Sequence, residues 1–261
     1  SSYLYSKDGF FNFDLLRNID QFPNQNSFNF FLKDFTNIKK VSQYWIAAQD
    51  KINLQGKDIF FKTHSALCTL ENNSFTNKNN TKAVIYVVRD PRNVITSVSN
   101  HFSKSIEESY TFITNSNKLL TNEEWGKKTF GITSVLGSWS DHYNSWRNIN
   151  FAPILIVKYE DLLKDTKNSL LEILKFLSKF IDIKINDHKI INAVNSCSFD
   201  NLSRKEKTEG FFEAVYSKEN NDKINFFHLG KKNDWKKLLS SELKNKIKIC
   251  FEKEMKELNY I

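Results

Sequence analysis

The sequence predicts an α/β fold in which a parallel sheet is flanked by helices on both faces. Short β-branched runs bounded by turn residues alternate with longer segments whose apolar residues recur at helical spacing. Strands separated by helical segments pair in parallel, and such sheets are covered on both faces. No linker rich in Gly, Pro or Ser divides the 261 residues, so we expect a single domain over residues 1–261.

The individual elements follow from the same patterns. Strands are predicted at Asp58–Thr63, Ala83–Val88 and Ile154–Val157. Helices are predicted at Ser6–Ile19, Phe28–Ile38, Ser42–Asn53, Pro91–Lys104, Thr133–Asn148, Asp161–Phe180, Asp187–Asn195 and Ser240–Leu258. Ligands of parallel sheets collect beyond the carboxyl ends of the strands, so the polar residues just after each strand are the candidate site.

Charge and composition narrow the classes of partner. The net charge of +8 suits a protein that binds a small polyanion, and no nucleic-acid recognition motif accompanies it. The three cysteines, Cys68, Cys197 and Cys250, and the five histidines show neither disulfide nor metal-ligand spacing. This predicts a reducing, cytoplasmic setting and no metal site. No membrane-length apolar run and no signal peptide are visible.

The most informative stretch is residues 83–102, where a strand feeds a helix through a charged turn. The apolar run ends in Arg89, and Asp90 and Pro91 supply an N-cap and a first helical residue. Such a turn combines backbone N–H groups, a helix dipole and a guanidinium, which together bind phosphate-like anions. The chain has only five arginines, and two of them, Arg89 and Arg92, lie here. An ordinary turn with a solvated arginine is the alternative, and the arginine usage favours an anion site.

Four blocks of the chain together resemble the sulfotransferase family, whose members move a sulfuryl group from 3′-phosphoadenosine-5′-phosphosulfate (PAPS) to a hydroxyl or amine. The resemblance runs over nearly the whole chain and implies a P-loop NTPase-like sulfotransferase architecture. The blocks are Phe61-Lys62-Thr63-His64, Tyr86–Arg92 through Ser97, Lys158–Leu162, and Gly230 followed by Asp234-Trp235-Lys236. Each block alone is modest evidence, and their order and spacing carry the resemblance.

The resemblance implies roles for residues in the first two blocks. Arg89 and Ser97 match the arginine and serine that hold the nucleotide 3′-phosphate, and a helix rising 1.5 Å per residue lets Arg89 fold toward Ser97. His64 matches the general base, and a neutral imidazole can take a proton from an acceptor hydroxyl near pH 7. Lys62 is either an electrostatic neighbour of the transferred group or a solvated strand lysine.

The later blocks imply contacts with the adenine and the 3′-phosphate. Tyr159 and Phe199 stand at adenine-contacting positions, although core packing is the simpler explanation for Phe199. Where many members carry Arg-Lys-Gly, this chain has His228-Leu229-Gly230. We therefore expect His228 and Gly230 to bind the nucleotide more weakly than the family's Arg-Lys-Gly does, with Lys231 or Lys232 supplying the missing positive charge. Trp235 is interpreted as a packing residue.

One family motif is absent from the sequence. Residues 1–261 contain no match to the Pro-Lys-Ser-Gly-Thr-Thr-Trp-like loop that cradles the 5′-phosphosulfate, nor to a GxxxxGK[ST] loop. The only methionine is Met255, so the expectation is an upstream truncation rather than a natural loss. This polypeptide should then keep partial affinity for the nucleotide 3′-phosphate and have little turnover.

The resemblance thus implies a PAPS-dependent sulfotransferase with a small-molecule or carbohydrate acceptor. Two alternatives remain open: an inactive relative that binds nucleotide or glycan, and a nucleotide kinase, which needs a Gly-Lys-Ser/Thr loop. Nucleic-acid binding is the weakest. The acceptor and the oligomeric state do not follow from the residues. The acceptor pocket is expected in the variable stretches 107–129 and 204–222.

Overall fold

The computed structural model describes residues 1–121, 132–216 and 222–261, of which 215, 216 and 231 are described by their backbone alone. Its helices are α1 Ser2–Tyr5, α2 Gln25–Phe28, α3 Ile38–Ser42, α4 Trp45–Asn53, α5 Pro91–Phe102, α6 Ile106–Thr114, α7 Trp139–Arg147, α8 Tyr159–Lys164, α9 Thr166–Leu177, α10 Asp187–Ser196, α11 Phe199–Glu209, α12 Trp235–Leu238, α13 Ser241–Cys250 and α14 Glu252–Glu257. Its strands are β1 Asp20–Gln21, β2 Phe61–Lys62, β3 Thr69–Leu70, β4 Asn73–Ser74, β5 Val84–Val88, β6 Leu119–Leu120, β7 Ser134–Val135, β8 Ile154–Lys158, β9 Val215–Tyr216 and β10 Lys223–Ile224. Two 3₁₀ turns lie at Phe13–Asn18 and Gly230–Lys232.

The predicted strands pair in parallel. β5 pairs with β8 in register from Val84 opposite Ile154 to Val88 opposite Lys158, and β1 pairs with β2. The other described strands form two-residue antiparallel pairs. The described strands are therefore hydrogen-bonded in pairs, and β5 with β8 is the longest of them. Because this pair is parallel, the carboxyl ends of β5 and β8 lie side by side.

β5 and α5 are anchored in separate apolar clusters. Val88 of β5 is buried with Tyr143 of α7. Ile95 of α5 is fully buried against Ile247 and Met255 of the two last helices. Both ends of the β5–α5 turn are thus held by packing, which fixes the side chains that project from the turn.

The predicted first helix, Ser6–Ile19, does not form as one element. The chain is helical at α1 and turns through a 3₁₀ segment at Phe13–Asn18. Gly9 interrupts the helix at φ +90°, and a Cβ there would stand 2.4 Å from the carbonyl oxygen of Lys189. Close packing against α10 therefore requires a glycine in a left-handed conformation.

Several other predicted helices start late or divide in two. α7 begins at Trp139 rather than Thr133, because Ser138 and Asp141 form a capping box. Asp165 ends α8 and caps α9 within the predicted helix Asp161–Phe180. The predicted helix Phe28–Ile38 does not form: residues 29–37 are turns and irregular backbone between α2 and α3, which Asn24 and Asn37 cap. Ser240–Leu258 divides into α13 and α14 at Phe251.

In the described part of the chain, no helix has both the length and the apolarity that crossing a bilayer requires.

Candidate active site

The β5–α5 turn uses its two arginines differently. Asp90 caps α5 by accepting the N–H of Arg92, and its carboxylate also pairs with the Arg92 guanidinium at 2.6 Å. The Arg92 guanidinium lies over the ring of Trp235 at 3.7 Å, and both members of the ion pair are buried. Arg92 is therefore committed to holding the turn, while Arg89 lines the adjacent cavity.

Arg89 and Ser97 converge, as their spacing on the strand and helix predicted. Nη1 of Arg89 donates to the Ser97 hydroxyl at 3.1 Å. The guanidinium stacks over the ring of Tyr159 at 4.4 Å, which fixes its plane. Its Nε is buried and has no hydrogen-bond partner among the described residues. A buried donor without a partner beside a cavity is the arrangement expected for anion recognition.

Asn233 completes this cluster and was not predicted. Its side-chain amide donates to the Ser97 hydroxyl at 3.0 Å, and its amide oxygen accepts from Thr96. Asn93 donates to the carbonyl of Asn233, so the segment before α12 is tied to α5. In sequence, Asn233 is an ordinary loop asparagine beside Asp234 and Trp235, and no local signal marks it.

Glu160, which follows β8, and Tyr260 also hold the β5–α5 turn. One oxygen of Glu160 accepts the backbone N–H of Asp90 at 3.0 Å, and the other accepts the hydroxyl of Tyr260 at 2.9 Å. The Tyr260 carbonyl accepts from Arg92 at 2.8 Å. Burial, followed by the nearby Glu160 carboxylate, raises the pKa of Tyr260, which keeps its hydroxyl a donor.

Phe199, Gly230 and His228 line the same cavity as Arg89. Gly230 has φ +53°, and a Cβ there would stand 2.6 Å from the Phe199 ring. Only glycine allows this contact without displacing the ring. His228 is exposed at the cavity mouth, Lys232 is exposed and does not line the cavity, and the Lys231 side chain lies outside the described residues.

His64 and Lys62 also line this cavity. Burial is the largest of the causes that lower the pKa of the His64 imidazole to about 3, and the positive charge of Lys62 adds to it. The imidazole is therefore neutral at physiological pH and keeps a free lone pair, but in this buried environment it is a weaker base than an ordinary histidine. Lys62 Nζ donates to the Glu213 carboxylate at 2.9 Å, a partner that sequence patterns did not indicate.

His142 of α7 bonds the backbone carbonyl of His64. Its Nε2 lies 3.2 Å from the backbone oxygen of His64, and its Nδ1 lies 2.9 Å from the Tyr86 hydroxyl. Burial lowers the pKa of His142, and burial raises that of Tyr86, so a neutral imidazole bridges a protonated tyrosine and a carbonyl. With Tyr86 donating to Nδ1, the Nε2–H donates to the His64 carbonyl.

The cavity has a volume of about 490 Å³, and its lining combines polar and apolar residues. The polar part of the lining includes Arg89, Ser97 and Asn233. The apolar part consists of Phe102, Phe112, Leu120, Leu136, Phe226 and Phe227. Phe112 and Leu120 come from the stretch 107–129 in which the acceptor pocket was predicted, and Glu213 comes from the stretch 204–222, although 122–131 and 217–221 lie outside the described residues.

A buried carboxylate holds part of the aromatic wall in place. Glu206 of α11 is 1% exposed, and its two oxygens accept the backbone N–H groups of Phe226 and Phe227 at 2.7 and 2.9 Å. Bonds of this charge-assisted type are stronger than those between neutral groups. Glu206 therefore fixes the backbone from which two of the aromatic rings project.

The chemistry of this donor set suits a phosphate group. The Arg89 guanidinium, the Ser97 hydroxyl and the Asn233 amide lie together on the cavity lining, and the buried Nε of Arg89 has no partner among the described residues. The fold and the site thus define an α/β protein with a cluster of hydrogen-bond donors at a strand-to-helix junction, in a cavity that a neutral histidine also lines.

Comparison with known proteins gives the family. The sulfotransferase domain matches residues 12–259. An amine sulfotransferase of Oryctolagus cuniculus is 31% identical over 185 residues, which cover 69% of this chain and 56% of that protein. Sulfotransferase 2A2 of Rattus norvegicus is 27% identical over 59% of this chain and 49% of its own length. The chain belongs to the sulfotransferase family.

A solved structure agrees on the fold. The crystal structure of mouse sulfotransferase SULT7A1 complexed with PAP superposes with a TM-score of 0.51 and 18% identity, covering 78% of this chain and 68% of that one. At this identity the likeness concerns the fold. The chain spans about half the length of the curated relatives it matches.

Proposed function

We propose that this cavity binds the 3′-phosphate nucleotide PAPS and an acceptor hydroxyl or amine, and that the whole protein transfers the sulfuryl group between them. The observation that carries the proposal is the convergence of Arg89, Ser97 and Asn233 in a cavity that His64 also lines. Membership of the sulfotransferase family supports the same assignment.

The residues divide the chemistry between them. PAPS supplies the sulfuryl group and a phosphate leaving group. Arg89, Ser97 and Asn233 hold the 3′-phosphate, and Tyr159 and Phe199 offer ring faces to the adenine. His64 takes the proton that the acceptor loses as its oxygen or nitrogen attacks sulfur. Lys62 stabilises negative charge on the group in transfer.

Nucleotide binding tests the proposal directly. Arg89→Ala should weaken binding of adenosine 3′,5′-bisphosphate about tenfold to a hundredfold, the loss expected for a hydrogen bond to a charged group. Adenosine 5′-phosphate, which lacks the 3′-phosphate, should bind wild type and variant alike. Arg204→Ala, at an exposed position of α11, is the matched control. Equal bisphosphate affinities for wild type and Arg89→Ala, measured by calorimetry, contradict the proposal.

The base role of His64 has its own test. His64→Asn should keep bisphosphate affinity and lose whatever turnover the wild-type protein shows with labelled PAPS in the same assay.

An inactive nucleotide-binding relative is the second candidate, because residues 1–261 contain no match to the 5′-phosphosulfate loop. For the same reason we expect the 261-residue polypeptide to bind the bisphosphate and to show little turnover. Transfer of label from PAPS above background favours the transferase, and nucleotide binding without any transfer favours the inactive relative.

A further inference from the structure

Glu213 is an unusual residue for its position in the cavity. Among the described residues that line the cavity, it carries the single carboxylate. It pairs with Lys62, which also lines the cavity. The Glu213 charge also acts on His101, whose pKa is lowered mainly by burial and is raised in part by this carboxylate. The His101 ring in turn contacts the rings of Phe102 and Phe226, so Glu213 places a negative charge close to an aromatic part of the cavity lining.

The present partner of Glu213 is exchangeable. The ion pair with Lys62 is 2.9 Å long, but the two side chains are 39% and 28% exposed. Solvent screens a pair of this kind, so it contributes little to stability and separates readily. In the proposed function, Lys62 also interacts with the negatively charged sulfuryl group in transfer. When Lys62 turns to that group, Glu213 retains its charge and needs another cation.

The acceptor is the group that can supply this cation. An uncharged acceptor would cover Glu213 and leave a carboxylate desolvated without a partner, which is unfavourable. An ammonium group would pair with Glu213 and could also lie against the faces of the neighbouring aromatic rings. The apolar wall accommodates the hydrocarbon body of such a molecule.

We propose that Glu213 selects acceptors that carry an ammonium group beside an aromatic or apolar body, an inference that rests on the proposed function of this cavity. The reacting hydroxyl or second amine of such an acceptor lies toward His64. Glu213 is thus a specificity-determining residue, and the substrate class is an amino alcohol, an aminoalkyl phenol or an alkyl diamine.

Lys62→Gln makes the test independent of the nucleotide, because it releases Glu213 from its partner. The probes are tyramine and its uncharged analogue 4-ethylphenol, and their affinities are measured by calorimetry at low salt. Lys62→Gln should bind tyramine about tenfold more tightly than 4-ethylphenol, the size expected for a hydrogen bond to a charged group. The preference should shrink at high salt.

Two double variants complete the experiment. Lys62→Gln with Glu213→Gln should lose the preference, whereas Lys62→Gln with Glu209→Gln should keep it, because Glu209 pairs with Lys205 at an exposed position. Equal affinities in Lys62→Gln, or no tyramine binding, overturn the inference. Bisphosphate affinity in the same proteins reports on the proposed function separately, so either conclusion can fail while the other stands.

Discussion

The Tyr86 hydroxyl and Nδ1 of His142 lie 2.9 Å apart, and this contact joins β5 to α7 behind the candidate general base. Because the other nitrogen of His142 bonds the His64 carbonyl, one buried ring fixes the backbone of the base. His142→Leu leaves both groups buried without a partner and should lower the free energy of unfolding by about 2–4 kcal/mol. Tyr86→Phe removes one bond and should cost about 1 kcal/mol.

Urea denaturation measures both effects on the 261-residue chain. His188→Leu, at an exposed position of α10, is the control and should change little. Wild-type stability in His142→Leu would show that the bridge has no structural role.

The buried ion pair of Arg92 and Asp90 leads to a second prediction. Arg92→Leu leaves the Asp90 carboxylate buried without its partner and also removes the contacts with Trp235 and the Tyr260 carbonyl. We expect a loss of about 3–5 kcal/mol in the free energy of unfolding.

Lys82→Gln is the matched control for Arg92. It breaks a pair of similar length with Asp58, in which the side chains are 55% and 46% exposed, and should cost about 1 kcal/mol or less. Denaturant midpoints of the two variants compare the buried pair with the exposed one. Similar midpoints would contradict the role given to burial.

Glu206 gives a third prediction about the aromatic wall. Glu206→Gln keeps one acceptor oxygen and places an NH₂ group against the other backbone N–H, so the segment at Phe226 and Phe227 should loosen. We expect a loss of about 1–3 kcal/mol and faster amide hydrogen exchange at these two residues. Glu209→Gln on the same helix should leave exchange there unchanged. Unaltered amide exchange in Glu206→Gln would show that Glu206 does not hold the backbone at Phe226 and Phe227.

The depressed pKa of His64 sets a pH window. In the folded state it is about 3, against an ordinary value of 6.5, so the unfolded chain takes up this proton first as the pH falls. The His64 contribution to stability is therefore complete above pH 6.5 and is lost as the pH falls toward 3. Burial lowers the pKa of His101 and His142 too, which adds to the same trend.

Urea midpoints at pH 7.5, 6.0 and 5.0 measure this dependence. The urea midpoint of His64→Gln should fall less steeply with decreasing pH than that of wild type, because the variant lacks the His64 imidazole that the unfolded chain protonates first. His188→Gln, at an exposed position, should follow wild type. Parallel curves for wild type and His64→Gln would mean that His64 is not buried in its neutral form.

Sequence patterns recovered the parts of the site that depend on local spacing. The strand ending at Val88 and the helix beginning at Pro91 follow from a β-branched run, an N-cap and a proline, and they bring Arg89 to Ser97. Asn233, Glu206 and His142 escaped prediction because their roles come from contacts with distant parts of the chain. A loop asparagine, a helical glutamate and a lone histidine carry no local signal of such contacts.

The helix boundaries failed for a related reason. Apolar periodicity continues through Gly9 and Asp165, so it predicts long helices there. The breaks depend on a close approach to Lys189 and on a side-chain cap, which short-range periodicity does not describe. The catalytic and nucleotide-binding roles that the family resemblance gives to the site residues all stay predictions; the residues are His64, Lys62, Arg89, Ser97, Tyr159, Phe199, His228 and Gly230.

The bond from Arg92 to the carbonyl of Tyr260 spans 168 residues. A ribosome therefore finishes β5 and α5 long before it adds the residue that braces them, and the growing chain carries this turn without its support. We expect the turn to become fully braced only after Tyr260 has left the exit tunnel, so that its final geometry forms later in synthesis than β5 and α5 themselves.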